Sequence, residues 1–287
     1  MSAASRAALA VESRSYQTQA KAGARPHTLA AMKIASWNVN SLNVRMPHLA
    51  QWLAESQPDV VALQETKLED SRFPDTALAT LGYRSVFAGQ KSYNGVAILA
   101  RGHAIEDVQI GIPGFDDEQK RVIAATVNGV RIVDFYIVNG QAVGSEKFEY
   151  KLRWLKAARA MLEAEAARHP KLVVLGDFNI APTDLDVHSP KRWHEKIMCS
   201  TSEREALGDI TALGLHDSFR LHCSEPGHHS WWDYRLLAFD RGWGLRIDLV
   251  LVSEALRASC TGAGIDLAPR TWERPSDHAP VWVELDV

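Results

Sequence analysis

The chain has 287 residues, 46% hydrophobic and 23% charged, with a formal net charge of −3. That suffices for a sizeable core in one large or two small domains, and no apolar run reaches the roughly 18 residues of a membrane helix. Three widely spaced cysteines, Cys199, Cys223 and Cys260, lack metal-ligand spacing and argue against a disulfide framework.

The first 31 residues are rich in Ala, Ser and Arg and carry one acid, Glu12. Without them the chain holds 28 Lys+Arg against 34 Asp+Glu, a net charge of −6. They have no continuous apolar stretch of the kind a secretory signal needs. Residues 1–31 are expected to be a disordered tail, a stretch upstream of a start at Met32, or an organelle-targeting segment. The domain is expected over 32–287. Any phosphate-binding surface on so acidic a domain must be local.

The elements follow in order. Residues 33–39 (KIASWNV) read as a strand. Residues 45–56 carry Leu49, Trp52 and Leu53 at helical spacing. Gln57-Pro58-Asp59 turns into a strand at 60–65, and short strands follow near 83–88 and 94–100. VIAATV and VRIVDFYIV read as a hairpin closed by Asn128-Gly129. Residues 145–168 form the longest helical pattern, with Phe148, Leu152, Leu155, Ala158 and Leu162 on one face. A strand at 171–178, a short helix at 203–214, and strands at 246–252 and 279–285 complete the pattern. Hairpins mixed with strand–helix alternation point to two packed mixed sheets with outer helices.

Polar side chains interrupt the apolar runs at strand ends. Asn38 and Asn40 close IASWNVN, Glu65 closes VVALQE, and Asp177 and Asn179 close KLVVLGDFN. Asp248 opens DLVLV, and Asp277-His278 precedes the last strand. Carboxylates there must be solvated, paired or metal-bound. In extended geometry Asp177 and Asn179 point to one side, with Phe178 packing away. Asp248 is a candidate partner for His278, raising its pKa and fixing its tautomer. Singly, each residue has a plainer reading. Glu65 can be a solvated strand end, Asp177-x-Asn179 a turn, His278 a structural histidine, and Tyr136 a core tyrosine. Together they suit a magnesium-dependent phosphodiesterase.

SWNVN, LQETK, GDFN, RIDLVLV and PSDHAPVW together resemble the exonuclease III family of abasic-site endonucleases. IPGFDDEQKRVI, IAPTDLDVHSPKRW and SWWDYRLLAFDRGWGLRIDL resemble its bacterial branch. The resemblance covers residues 32–287. It implies an α/β fold, a four-layered α/β sandwich with two packed mixed β-sheets flanked by helices. It implies magnesium, with manganese as substitute. Metal-side residues would be Glu65 and Asn38, with Asp177, Asn179, Asp277 and His278 around them. Asp177 would activate the attacking water and Asn179 hold it. His278, oriented by Asp248, and Tyr136 would contact the phosphate. Arg121, Asn139 and Trp231 would bind substrate, Trp231 as a wall for an extrahelical abasic sugar. The implied partner is double-stranded DNA with abasic sites or blocked 3′ ends, met by a monomer. The implied reactions are cleavage 5′ to abasic sites, 3′-phosphodiesterase and 3′-to-5′ exonuclease. The implied location is the bacterial cytoplasm, or an organelle if the tail is a transit peptide. The chain departs from the family at Val138, where a proline is frequent. Two other readings are a phosphatase acting on a lipid or inositol phosphate, and a non-catalytic DNA-binding module.

Overall fold

The computed structural model describes residues 31–287; apart from Ala31, the expected tail lies outside the described residues. The described residues form fourteen strands in chain order. They are β1 (Ala31–Asn38), β2 (Val60–Gln64), β3 (Tyr83–Ala88), β4 (Val96–Arg101), β5 (Ile105–Ile110), β6 (Val122–Val127) and β7 (Val130–Tyr136). Then come β8 (Leu172–Asp177), β9 (Leu215–Asp217), β10 (Trp231–Trp232), β11 (Gly244–Leu245), β12 (Asp248–Ser253), β13 (Cys260–Ile265) and β14 (Val281–Asp286). One sheet has the order β13-β14-β1-β2-β4-β3 and the other β5-β6-β7-β8-β12-β9; β10 and β11 form a separate antiparallel pair. The helices used below are α1 (Leu42–Ser56), α2 (Asp75–Thr80), α3 (Glu146–Arg168), α4 (Pro190–Trp193) and α5 (Thr201–Thr211).

The layers follow from side-chain alternation. Ile34, Val60, Ala62 and Ile98 of the first sheet face Ile132, Val173, Leu175 and Val250 of the second. On the outer face of the first sheet, Ala35, Trp37, Val61 and Leu63 pack against Leu49, Trp52 and Leu53 of α1 and Leu78 of α2. Outside the second, Val133, Phe135, Val174 and Leu251 pack against Trp154, Leu155, Ala158 and Leu162 of α3 and Leu207 and Ile210 of α5. The result is the four-layered α/β sandwich expected, with helices outside two mixed sheets.

Local chemistry sets the element ends. Ser145 accepts from Phe148 N at 3.2 Å and caps α3, with Glu146 and Glu149 favourably placed against the positive helix start. A reciprocal Ser200–Glu203 capping box starts α5 at Thr201, two residues before the expected start. Asn128 and Gly129 both take positive φ, the tight hairpin turn predicted from that pair.

Five strands were not predicted: the short β9, β10 and β11, of two or three residues each, and the six-residue β5 and β13. β5 is an edge strand with a register shift between Glu106 and Gln109, and its polar side chains hide the alternation. β13 contains Gly262 and Gly264, poor strand formers. Both lie beneath the Trp282 indole, and a Cβ on Gly264 would meet that ring at 2.6 Å.

The same alternation places the polar residues. Asn38 continues the inward row of Ile34 and Ser36, Asp177 that of Val173 and Leu175, and Tyr136 that of Ile132 and Asp134. β1 and β2 are parallel, as are β7 and β8, and β12 runs antiparallel to β8 with Asp248 opposite Asp177. The polar ends therefore meet at one end of the layer between the sheets.

Candidate active site

Gly176 lets β8 deliver Asp177 there. It has φ of +135°, and an added Cβ would fall 1.9 Å from the Phe135 carbonyl oxygen. Only glycine fits so close a backbone approach. Asp177 is buried and accepts from Asn38 Nδ2 at 2.9 Å, from the Asn179 backbone N at 2.9 Å and from Asn179 Nδ2 at 3.2 Å. Asn179 has φ of +50°, so it reaches Asp177 through a side-chain-closed turn and not through strand pleating as expected. Phe178 does pack away, edge-on to Phe135.

Glu65 leaves β2 in a left-handed conformation. It accepts from Asn38 Nδ2 at 2.9 Å and pairs with Lys67 Nζ at 2.8 Å. Ligand atoms of Glu65, Asp177 and His278 lie within 4.8 Å of one another. Two carboxylates so close suit a hard divalent cation, which takes oxygen ligands and removes their mutual repulsion. Asn38 shows this cluster its amide nitrogen, while its oxygen accepts from Asn40 N at 3.0 Å. To act as a ligand, Asn38 must turn its amide over.

His278 is held on its far side. Nδ1 donates to Asp248 Oδ2 at 2.9 Å, and Nε2 points toward Asp177 at 3.7 Å. Burial disfavours its cation, but Asp248 and Asp177 outweigh burial and push its pKa up to about 10. A protonated imidazole has no lone pair for a metal, so His278 fits the charge-stabilising role better than a ligand role. For Asp177, burial is the largest influence; His278 pulls the other way, Asp248 and Glu65 add repulsion, and the carboxyl rises to about 7. That range suits a group that must take a proton from water. Tyr136 sits beside them. Burial and the Glu65 and Asp177 charges hold its phenol protonated, and Arg121 lies 4.6 Å from its ring.

The other predicted residues form a ring around this centre. Asp277 is not in the tight ligand cluster. It accepts from Asn40 Nδ2 at 2.8 Å and from Trp231 Nε1 at 3.1 Å. Trp231 is half-buried against Met198 and Leu245, so one part of the indole is already packed. Asn139 is exposed and donates from Nδ2 to Asn179 Oδ1 at 2.9 Å.

Several supporting residues were missed. Ser230 donates to Asp248 Oδ2 at 2.6 Å and accepts from the Ile247 and Asp248 backbones. Lys151 is buried, paired with Glu203, and donates to the carbonyls of Asn179 at 2.8 Å and Asn139 at 3.2 Å. It joins the two loops that carry the paired asparagines. Asp134 lies below the site, accepting from Gln64 Nε2 at 2.7 Å, and burial raises its pKa. The Asp134 signal was legible as a carboxylate inside VRIVDFYIV. Ser230 and Lys151 carry no such signal, because their roles exist only in three dimensions.

Known proteins resemble this chain in sequence and fold. The model of the endonuclease/exonuclease/phosphatase family matches residues 35–278. Exodeoxyribonuclease III of Haemophilus influenzae is 37% identical, covering 88% of this chain and all of its own length. The structure of the 3′ phosphatase NExo from Neisseria, bound to a product DNA hairpin, superposes with a TM-score of 0.88 at 50% identity. The match covers 89% of this chain and all of that one. An AP endonuclease from Archaeoglobus fulgidus gives 0.85 at 36% identity, with the same coverage. The chain, with its acidic cluster at the end of a two-sheet sandwich, is an enzyme of the endonuclease/exonuclease/phosphatase family and belongs among its DNA-repair nucleases.

Proposed function

We propose that this protein is a magnesium-dependent monomer acting on double-stranded DNA, hydrolysing the phosphodiester 5′ to abasic sites and processing blocked or ordinary 3′ ends. One observation carries the reading: Glu65, Asp177 and His278 converge within 4.8 Å from separate strand ends, in a member of this family. Glu65 and Asp177 hold the cation. When bound, it neutralises charge on the phosphoryl and leaving oxygens. Asp177 takes the proton of the attacking water, and the Asn179 amide, fixed by Asn139, orients that water. His278, kept cationic by Asp248, and the protonated Tyr136 donate to the phosphoryl oxygens. Arg121 steadies Tyr136 and meets the DNA backbone. Asp277 holds Asn40 and Trp231 in place at the rim. The domain is taken as residues 32–287.

A second reading has 3′-end processing dominate over abasic cleavage. The 50%-identical neighbour is described as a 3′ phosphatase, and the Trp231 indole is partly consumed by packing and by Asp277. Two labelled duplexes decide the matter, one with an internal abasic-site analogue and one with a recessed 3′-phosphate end. Comparable rates on both support the first reading. A large excess on the 3′-phosphate duplex supports the second. Inactivity on both, with turnover of an inositol phosphate, would remove DNA from the account.

A further inference from the structure

A cavity of about 630 Å³, separate from the residues of the active site, has a size suited to a small organic ligand. His188, Arg192, Trp193, Leu236 and Trp243 line it, with Arg235 and the Asp233 carboxylate that pairs with it. The His188 ring lies nearly parallel to Trp243, at 19° and 6.3 Å, and edge-on to Trp193 at 6.2 Å. Arg241 lies 4.6 Å from the Trp243 ring. Flat aromatic faces among guanidinium groups suit a planar ring attached to a phosphate chain.

The backbone sets the distance to the reaction. His278 bridges to Trp231, Trp231 pairs with Leu245, and Leu245 bridges to Val187. Three antiparallel spacings of ~4.8 Å separate His278 from Val187 by roughly 14 Å. His188 follows Val187 and is fixed to the Gly244 carbonyl through both its backbone N and its Nδ1, each at 3.1 Å. At about 3.4 Å per stacked step, that separation is about four nucleotides of DNA.

We propose that this cavity receives an unpaired nucleobase of the DNA substrate, within about four nucleotides of the scissile phosphate. A base inside a duplex has both faces stacked and cannot enter. A base at a frayed or mismatched 3′ end can, and it exchanges water for the aromatic walls. Arg192 and Arg241 donate to the phosphates on either side, while Arg235 is held by Asp233. This rests on the reading of the chain as a DNA nuclease and adds a preference for unpaired ends.

The test uses the full chain in EDTA, so that the strand survives. The DNA is a duplex whose last four 3′ nucleotides are unpaired, with 2-aminopurine at each of the four in turn. Binding should quench the fluorescence at one or two positions. Trp193→Ala and Trp243→Ala should abolish that quenching and weaken the forked duplex about tenfold, a typical loss for one stacking face, leaving the fully paired duplex within about twofold. Trp193→Phe should restore it. Arg192→Glu, at an exposed position, covers the case in which a tryptophan variant fails to fold; it should weaken the forked duplex selectively. Quenching unchanged in these variants, or equal loss on forked and paired DNA, overturns the proposal. Cleavage of a paired recessed duplex in magnesium by the same preparations tests the underlying reading separately.

Discussion

Asp177 and His278 both hold protons more tightly than usual, and this has consequences for metal binding and for stability. In the metal-free protein burial lifts Asp177 to about 7, so magnesium affinity, which needs the ionised carboxylate, should rise with pH through that range. Asp248 and Asp177 hold His278 at about 10 despite its burial, against an ordinary value of 6.5. A raised folded-state pKa contributes stability that is complete below 6.5 and lost as pH rises through about 10. Urea unfolding in EDTA should therefore show stability falling between pH 7 and 10. His278→Asn should flatten that limb relative to the parent; an identical slope in the variant would contradict the ion-pair account. On activity, His278→Asn should lose about two to four powers of ten, and Asp248→Ala should act in the same direction. The two losses should not add, since Asp248 works through His278. Glu65→Gln should remove most turnover at limiting magnesium while leaving the fold intact, because shape is kept and the charge that holds the cation is lost. Wild-type turnover in that variant would remove Glu65 from the metal site.

At the scale of elements, one glycine replacement has opposite signs in two places. Gly176→Ala drives a methyl into the Phe135 carbonyl at 1.9 Å and forces alanine to a φ of +135°. It should cost about 2–4 kcal/mol and displace Asp177. Gly208→Ala, on the exposed side of α5 with nothing within 4 Å, should stabilise by about 0.5–1 kcal/mol. Denaturation midpoints of the two variants check both signs. The sequence made β1, β2, β7, β8 and β12 readable because their interiors are largely apolar and polar residues mark their ends, and β14 through the alternation of Val281, Val283 and Leu285 with Glu284 and Asp286. It made α3 readable through its apolar stripe. It concealed β5, whose exposed edge needs no alternation, and β13, whose glycines are there for Trp282. The site was legible in the same uneven way. Asp177, Glu65 and His278 interrupt apolar runs and so announce themselves. Ser230 and Lys151 act on backbone groups brought near by the fold, and no spacing reports that. The α5 start was within reach, since Ser200-x-x-Glu203 is a readable capping box.

Across the whole molecule, the predicted DNA substrate meets a domain with six more acidic than basic side chains over 32–287. Binding must therefore rely on local cations such as Arg45, Lys67 and Arg121 at the rim of the site, with the long-range field opposing approach. Neutralising about four phosphates would give log K against log salt a slope of about −3.6. A flat response would point to a small-molecule substrate. Among the described residues, no helix is long and apolar enough to cross a membrane. The proposed function has the Glu65–Asp177–His278 cluster hydrolyse DNA phosphodiesters with a divalent cation. The most direct measurement follows cleavage of an end-labelled duplex with a recessed 3′ end and an internal abasic-site analogue, in magnesium and in EDTA, by the parent and by Asp177→Asn. The parent should cleave in magnesium and not in EDTA, and Asp177→Asn should not cleave but should still bind the duplex. Undiminished cleavage by Asp177→Asn, or cleavage that persists in EDTA, would contradict that function.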